Sequence, residues 1–181
     1  MREIIEKFLR DEGMGYCAID PKTIVFRTEF LEKCQMNYCG RYNRSWSCPP
    51  AIGDVAEIQK KTVSYPEGFL FQMVFPLEDD YDVEGMDKGR SVIMKKTLKL
   101  NSLLQKTKAD FLLLSAGSCM ICEHCTYPDK PCRHKDMLLV SMEALGIDVS
   151  VIARAGGLRY YHGPRTVTYF SLCCFREPEH A

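Results

Sequence analysis

The stretch "SAGSCMICEHCTYPDKPCRHKD", residues 115–136, sets four cysteines at C-x2-C-x2-C-x6-C spacing: Cys119, Cys122, Cys125 and Cys132. That local density of thiols exceeds what packing alone requires. Consecutive two-residue gaps let one loop wrap three corners of a cubane while its amide N–H groups point at the sulfides, and a fourth thiolate slightly further along closes the site. The run departs from the bacterial ferredoxin pattern, because its last gap is six residues and Pro131 precedes the final cysteine. The number of thiolates still matches a 4Fe-4S cluster. Zinc also takes four thiolates, but its usual framework is two C-x2-C pairs separated by a longer spacer, so it stands as the alternative. His124, inside the loop, reads as a solvent-facing polar residue beside four better thiolate ligands.

A second set, in "KCQMNYCGRYNRSWSCPPAIG", spaces Cys34, Cys39 and Cys48 as C-x4-C-x8-C. Three thiolates are one short of a closed site. Either Cys17, Cys173 or Cys174 supplies the fourth, or one iron stays open to a substrate or small ligand. The competing reading is that these are small buried hydrophobes, a common fate of cysteine. Pro49 and Pro50 stiffen the backbone after Cys48 and keep it out of a helix. Arg41, Tyr42, Arg44 and Trp46 interleave basic and aromatic groups, a composition that also suits base stacking in RNA binders. The expected role here is different: Arg41 and Arg44, with Arg133 beside the four-cysteine set, donate hydrogen bonds toward a cluster, and Trp46 covers it.

Weaker features need less. Cys173 and Cys174 face opposite ways if they lie on a strand, so core packing is their default. Arg154, Arg159, His162 and Arg165 surround a Gly-Gly turn, which suits an anionic ligand and equally an exposed polar hairpin. The sequence shows no nucleophile motif, phosphate-binding glycine loop or paired-carboxylate signature, so hydrolysis and phosphoryl transfer have no support.

Charge and length narrow the setting. Lys plus Arg equals Asp plus Glu at 24 each, which leaves no bulk field to draw the chain onto nucleic acid or anionic lipid. Residues 1–181 read as one folded domain. The N-terminal "MREIIEKFLRDEG" lacks the continuous apolar core of a signal peptide, and no window reaches the roughly 18 apolar residues of a membrane span. A cytoplasmic protein is expected, in which clustered thiols among the ten cysteines serve as metal ligands or redox groups more often than as disulfides.

Along the chain, Ile4, Ile5, Phe8 and Leu9 predict an amphipathic helix stopped near Gly13 and Gly15. "YCAIDPKTIVFRTEF" predicts a hairpin or two strand fragments, and Asp54 with Glu57 predicts a capping box opening a helix to about Ser64. "GFLFQMVFP" reads as a buried strand, "LEDDYDVEGMDKG" as an acidic loop, and residues 90–108 as a helix with Ile93, Leu100 and Leu104 inward. "ADFLLLSAGSC" is a buried strand that delivers the chain into the four-cysteine loop. A helix is expected from Lys135 or Asp136 to Leu145, with Gly146 at its left-handed cap. "VSVIARAGGLRYYHGP" is ambiguous, and "RTVTYFSLCCF" alternates as a strand. Alternating strands and helices predict an α/β fold bordering on α+β: a layered sandwich whose mixed sheet carries helices and two cysteine-rich metal loops.

At "YCGRYNRSWSCPP" and "SAGSCMICEHCTYPDKPCRHKDMLLVSMEALGIDV" the sequence resembles a family of predicted metal-binding proteins found mainly in anaerobic bacteria and archaea. The likeness covers most of the chain, and the two blocks are specific together. It implies metal or iron-sulfur binding at Cys34, Cys39, Cys48, Cys119, Cys122, Cys125 and Cys132, and it carries over no reaction. Family members often show a proline near the position held here by His134. The expectation is an iron-sulfur protein with one 4Fe-4S cluster, and a second if the three-cysteine set is real. It would exchange single electrons with a partner oxidoreductase. Two other readings stand beside it: an enzyme whose three-cysteine site presents an open iron to a small anionic substrate, and a zinc-stabilised binding module.

Overall fold

The alternation of Val167, Tyr169 and Ser171 against Thr166, Thr168 and Phe170 places a strand near the C-terminal end. In a computed structural model, which describes residues 1–107 and 109–177, that strand is the middle of a five-stranded mixed sheet. The strands are β1 (Gly15–Ile19), β2 (Glu67–Pro76), β3 (Phe111–Ser115), β4 (Val140–Ser141) and β5 (Thr166–Phe175), in the order β1-β2-β5-β3-β4. All neighbours are antiparallel except β3 and β4. One row of paired residues, Cys17, Leu70, Leu172, Leu114 and Val140, crosses the whole sheet.

Both faces of the sheet are covered, which explains why β2 and β3 read as unbroken apolar runs. On one face, α1 (Arg2–Asp11) and α4 (Val83–Gln105) bury Ile5, Phe8, Leu9, Met94, Leu100 and Leu104 against Phe69, Phe71, Leu113 and Phe175. On the other, α5 (Val149–Ala155) brings Ile152 and Ala153 onto Leu70, Leu114 and Leu172, with Val55, Ile58 and Val63 of α3 (Val55–Ser64) alongside. The layered, mixed-sheet expectation holds. No described helix is long and apolar enough to cross a membrane.

Local departures have identifiable causes. Ile4 in α1 is exposed. The second apolar run after β1 shrinks to a single bridge, Phe26 with Ile147, and "TEF" opens α2 (Thr28–Gln35) instead. α4 begins at Val83, well before Arg90, because Asp82 Oδ1 accepts from the Gly85 N–H at 2.8 Å and starts the helix there. Gly89 breaks nothing: it lies so close to Phe75 that an added Cβ would stand 2.8 Å from the ring. The helix end expected at Lys108 lies outside the described residues.

The helix expected over 135–145 is replaced by two single 3-10 turns, Lys135–Met137 and Glu143–Leu145, flanking β4. Pairing with the free edge of β3 and burial of Leu139 and Met142 outweigh the helical pattern. Gly146 takes the left-handed conformation as expected, at φ +71°. Its carbonyl accepts from the Arg27 N–H at 2.7 Å, and a side chain there would strike the Arg27 carbonyl oxygen. The ambiguous stretch forms α5, capped by Asp148, whose carboxylate accepts from the Val151 N–H at 3.3 Å. Of the predicted capping box at α3, Asp54 accepts from the N–H groups of Ala56 and Glu57; among the described residues Glu57 makes no return bond.

Candidate metal centre

Two irregular segments meet at the end of the sheet where β3 finishes. One, residues 36–54, joins α2 to α3; the other, residues 116–134, leaves β3 through Gly117 at φ +68°. Irregular loops this long in a folded chain usually carry function. Short-range hydrogen bonds shape the first: Asn37 Oδ1 accepts from the Tyr42 N–H at 2.9 Å, and the Asn43 N–H donates to the Pro49 carbonyl at 2.8 Å. Asn37 and Asn43 both take positive φ, which asparagine tolerates better than most residues.

Contacts between the loops are specific. Trp46 Nε1 donates to the Lys130 carbonyl at 3.2 Å and stands edge-on to Tyr127, ring centres 4.9 Å apart. The Tyr127 hydroxyl donates to Asn43 Oδ1 at 2.8 Å. Deeper, the Cys119 N–H donates to Ser47 Oγ at 2.9 Å, and the same oxygen lies 3.8 Å from Cys48 Sγ.

Cys119, Cys122, Cys125 and Cys132 together line one narrow recess, closed by Arg41, Ser45, Trp46 and Arg133. Burial pushes the Cys119 thiol up, helped by the three neighbouring thiols and opposed by the Ile121 backbone N–H. At Cys125 burial also raises the thiol. Backbone hydrogen bonds from Tyr127, Trp46 and Thr126 and the Ser45 hydroxyl outweigh it and hold the group below its ordinary value. Donors aimed at a sulfur stabilise it as a thiolate, the form that binds metal.

Cys34, Cys39 and Cys48 line a second cavity of about 170 Å³ with Tyr42, Arg90, Ser118, Ser141 and Glu143. Burial raises Cys34, and the neighbouring Cys39, Glu143 and Cys48 add to it. Cys48 is also raised by burial, against hydrogen bonding from Ser47 and the positive charge of Arg41. An open groove of about 510 Å³ shares Cys34, Cys39 and Glu143 with this cavity and is flanked by Phe30, Tyr38 and Tyr160.

The structure thus gathers each predicted cysteine set around its own space. Arg41, Trp46 and Arg133 reach the four-cysteine recess, where Arg133 Nη2 also donates to the His124 carbonyl at 2.5 Å. Arg44 sits in the same turn as Arg41 but lines neither space. Cys17 faces Gly156, while Cys173 and Cys174 are fully buried on opposite faces of β5, so none of the three reaches the three-cysteine cavity. Arg154, Arg159, His162 and Arg165 line neither space. Sequence reading missed Arg90, Ser118 and Glu143, which arrive from α4, the segment that follows β3 and a 3-10 turn. Ser45 and Ser47 were visible as the alternation in "RSWSC".

Among the described residues, no three His, Cys, Asp or Glu side chains meet closely enough to hold a single ion. Each thiol set surrounds a space. Soft sulfur donors with hydrogen-bond donors behind them suit a thiophilic metal. Residues 17–175 match the family model described as "Predicted metal-binding protein (DUF2284)". No curated protein and no solved structure matches the chain.

Proposed function

The chain belongs to this family of predicted metal-binding proteins, and we propose that it is an iron-sulfur protein with two adjoining centres that handles single electrons. In this reading Cys119, Cys122, Cys125 and Cys132 hold a 4Fe-4S cluster and Cys34, Cys39 and Cys48 hold a second. A cluster so bound supplies one-electron transfer at a tuned potential. The protein does the rest. Ser45 and the backbone around residues 126 and 127 donate to Cys125, Trp46 and Tyr127 cover the recess from water, and Arg41 offsets negative charge between the two sets.

The observation that carries the reading is Ser47. One fully buried hydroxyl accepts from the backbone of Cys119 and touches the sulfur of Cys48, so the two sets share a wall. Two centres joined through one side chain suit a relay. Cys125 is the exposed member of the four-cysteine set, which marks that side as the approach for a redox partner protein.

The test is iron, zinc and acid-labile sulfide per chain on protein purified without oxygen, with visible spectra before and after dithionite. About four irons and four sulfides with bleachable absorption support the first centre, and about eight support both. Zinc without sulfide overturns the redox reading and leaves a zinc-stabilised module.

A further inference from the structure

The three-cysteine set needs a fourth partner, and none of the sulfurs the sequence offered for it reaches the cavity. The cavity supplies an oxygen instead. Glu143 lines it with all three thiols, and its backbone carbonyl lies 3.8 Å from Cys34 Sγ. Its carboxylate is aimed by the Gly117 N–H, which donates to Oε2 at 3.3 Å. That carboxylate is otherwise uncommitted: among the described residues no Lys, Arg or His pairs with it, and Arg90 across the cavity pairs with Asp87 at 2.9 Å.

The position is also fixed. Glu143 starts a 3-10 turn held by Ser141 Oγ, which accepts from the Ala144 N–H at 3.1 Å, and by the left-handed Gly146 behind it. Opposite, Ser118 is only 6% exposed and its hydroxyl has no partner among the described residues. A buried hydroxyl left unpaired is costly unless something fills the space beside it. Its place on the cavity wall, with Arg90, gives the group held there two hydrogen-bond donors.

Resting on the reading of Cys34, Cys39 and Cys48 as metal ligands, we infer that Glu143 is the fourth protein ligand of that centre. The centre is then three sulfurs and one carboxylate oxygen. Oxygen binds iron in such a setting less tightly than thiolate does, so this corner is the one that exchanges. It faces the open groove through which a small molecule reaches it.

The experiment compares full-length protein, purified and kept without oxygen, with its Glu143→Gln and Glu143→Cys variants. It follows iron lost to an added chelator, with circular dichroism as the check on folding. Glutamine keeps the shape and the acceptor for Gly117 but not the anionic ligand. Iron should leave its fast phase at least about tenfold faster in Glu143→Gln and more slowly than wild type in Glu143→Cys, where a thiolate completes the set. A structural Glu143 gives the opposite pattern, with Gln like wild type and Cys faster, and that outcome overturns the inference. Cys48→Ser tests the underlying reading separately: unchanged iron content in that variant removes the three-thiol centre itself, whereas lost iron with insensitive Glu143 variants removes only the carboxylate.

Discussion

At the scale of single residues, the metal loops depend on small polar side chains as much as on sulfur. Ser47→Ala removes the acceptor of the Cys119 N–H, a backbone donor in a part-buried position. An unsatisfied donor of that kind costs about 1–3 kcal/mol, so the denaturant midpoint should fall accordingly and the loaded protein should lose metal faster. An unchanged midpoint and unchanged metal retention would show that the two loops do not communicate through this residue. The ten thiols should also divide by reactivity. Burial pushes Cys174 up to about 12 and Cys173 well above its ordinary value, and alkylation requires the thiolate. Mass spectrometry after brief iodoacetamide treatment of folded, metal-free protein should find those two unmodified and the seven candidate ligand cysteines labelled. Those seven were legible in the sequence because short fixed gaps are a local property. Glu143 and Arg90 were not, because only the tertiary fold brings a 3-10 turn and a long helix to the same cavity.

At the scale of elements, two principles compete at Gly89. Helix propensity favours alanine over glycine by about 1 kcal/mol in an exposed helix interior. Gly89 is buried, however, and a Cβ would sit 2.8 Å from Cγ and Cδ2 of Phe75, atoms that cannot swing away without moving the ring. Overpacking costs about 1–3 kcal/mol, so Gly89→Ala should be net destabilising in urea unfolding, while Gly89→Ala combined with Phe75→Leu should recover part of the loss. A stabilised single variant would show that β2 and α4 are less tightly fixed than this contact implies. The same pair explains one difference between sequence and structure. Gly85 and Gly89 in an acidic stretch read as a loop, yet the first admits the Asp82 cap and the second admits Phe75. β2, β3 and β5 were legible because their patterns are long and apolar or alternating. The two-residue β4 was not, since pairing with β3 decides it.

At the scale of the whole molecule, the sheet and its helices should be stable without metal and the two loops should not. One tie between distant elements sets an acid limit for the first part. Glu12, after α1, receives hydrogen bonds from Lys96 and Lys99 of α4 at 2.5 Å each, which lower its pKa from an ordinary 4.5 to about 2. A depressed carboxylate contributes its full stability above the unfolded pKa and loses it as pH falls through the folded one. The melting temperature of wild type should therefore exceed that of Glu12→Gln by a constant amount above about pH 5 and converge on it toward pH 2. A difference independent of pH would exclude the ion pairs as its source.

The loops themselves have little to hold them. Residues 36–54 and 116–134 contain no α-helix or β-strand, and ordering backbone costs about 1–2 kcal/mol per residue. The bonds between them, Trp46 to Lys130, Tyr127 to Asn43 and Cys119 to Ser47, contribute about 1 kcal/mol each. Hydrogen bonding of that extent cannot offset the ordering of two such segments, whereas binding of metal to thiolates contributes on the order of 10 kcal/mol and is itself folding free energy. Hydrogen exchange read by mass spectrometry should show β2 and β5 equally protected with and without metal, because their pairing and both apolar faces lie outside the loops. Residues 36–54 and 116–134 should exchange within seconds once metal is removed and slowly when it is restored. If both segments stay protected in metal-free protein, the thiols do not organise them, and the cysteine loops are held by packing that owes nothing to a bound centre.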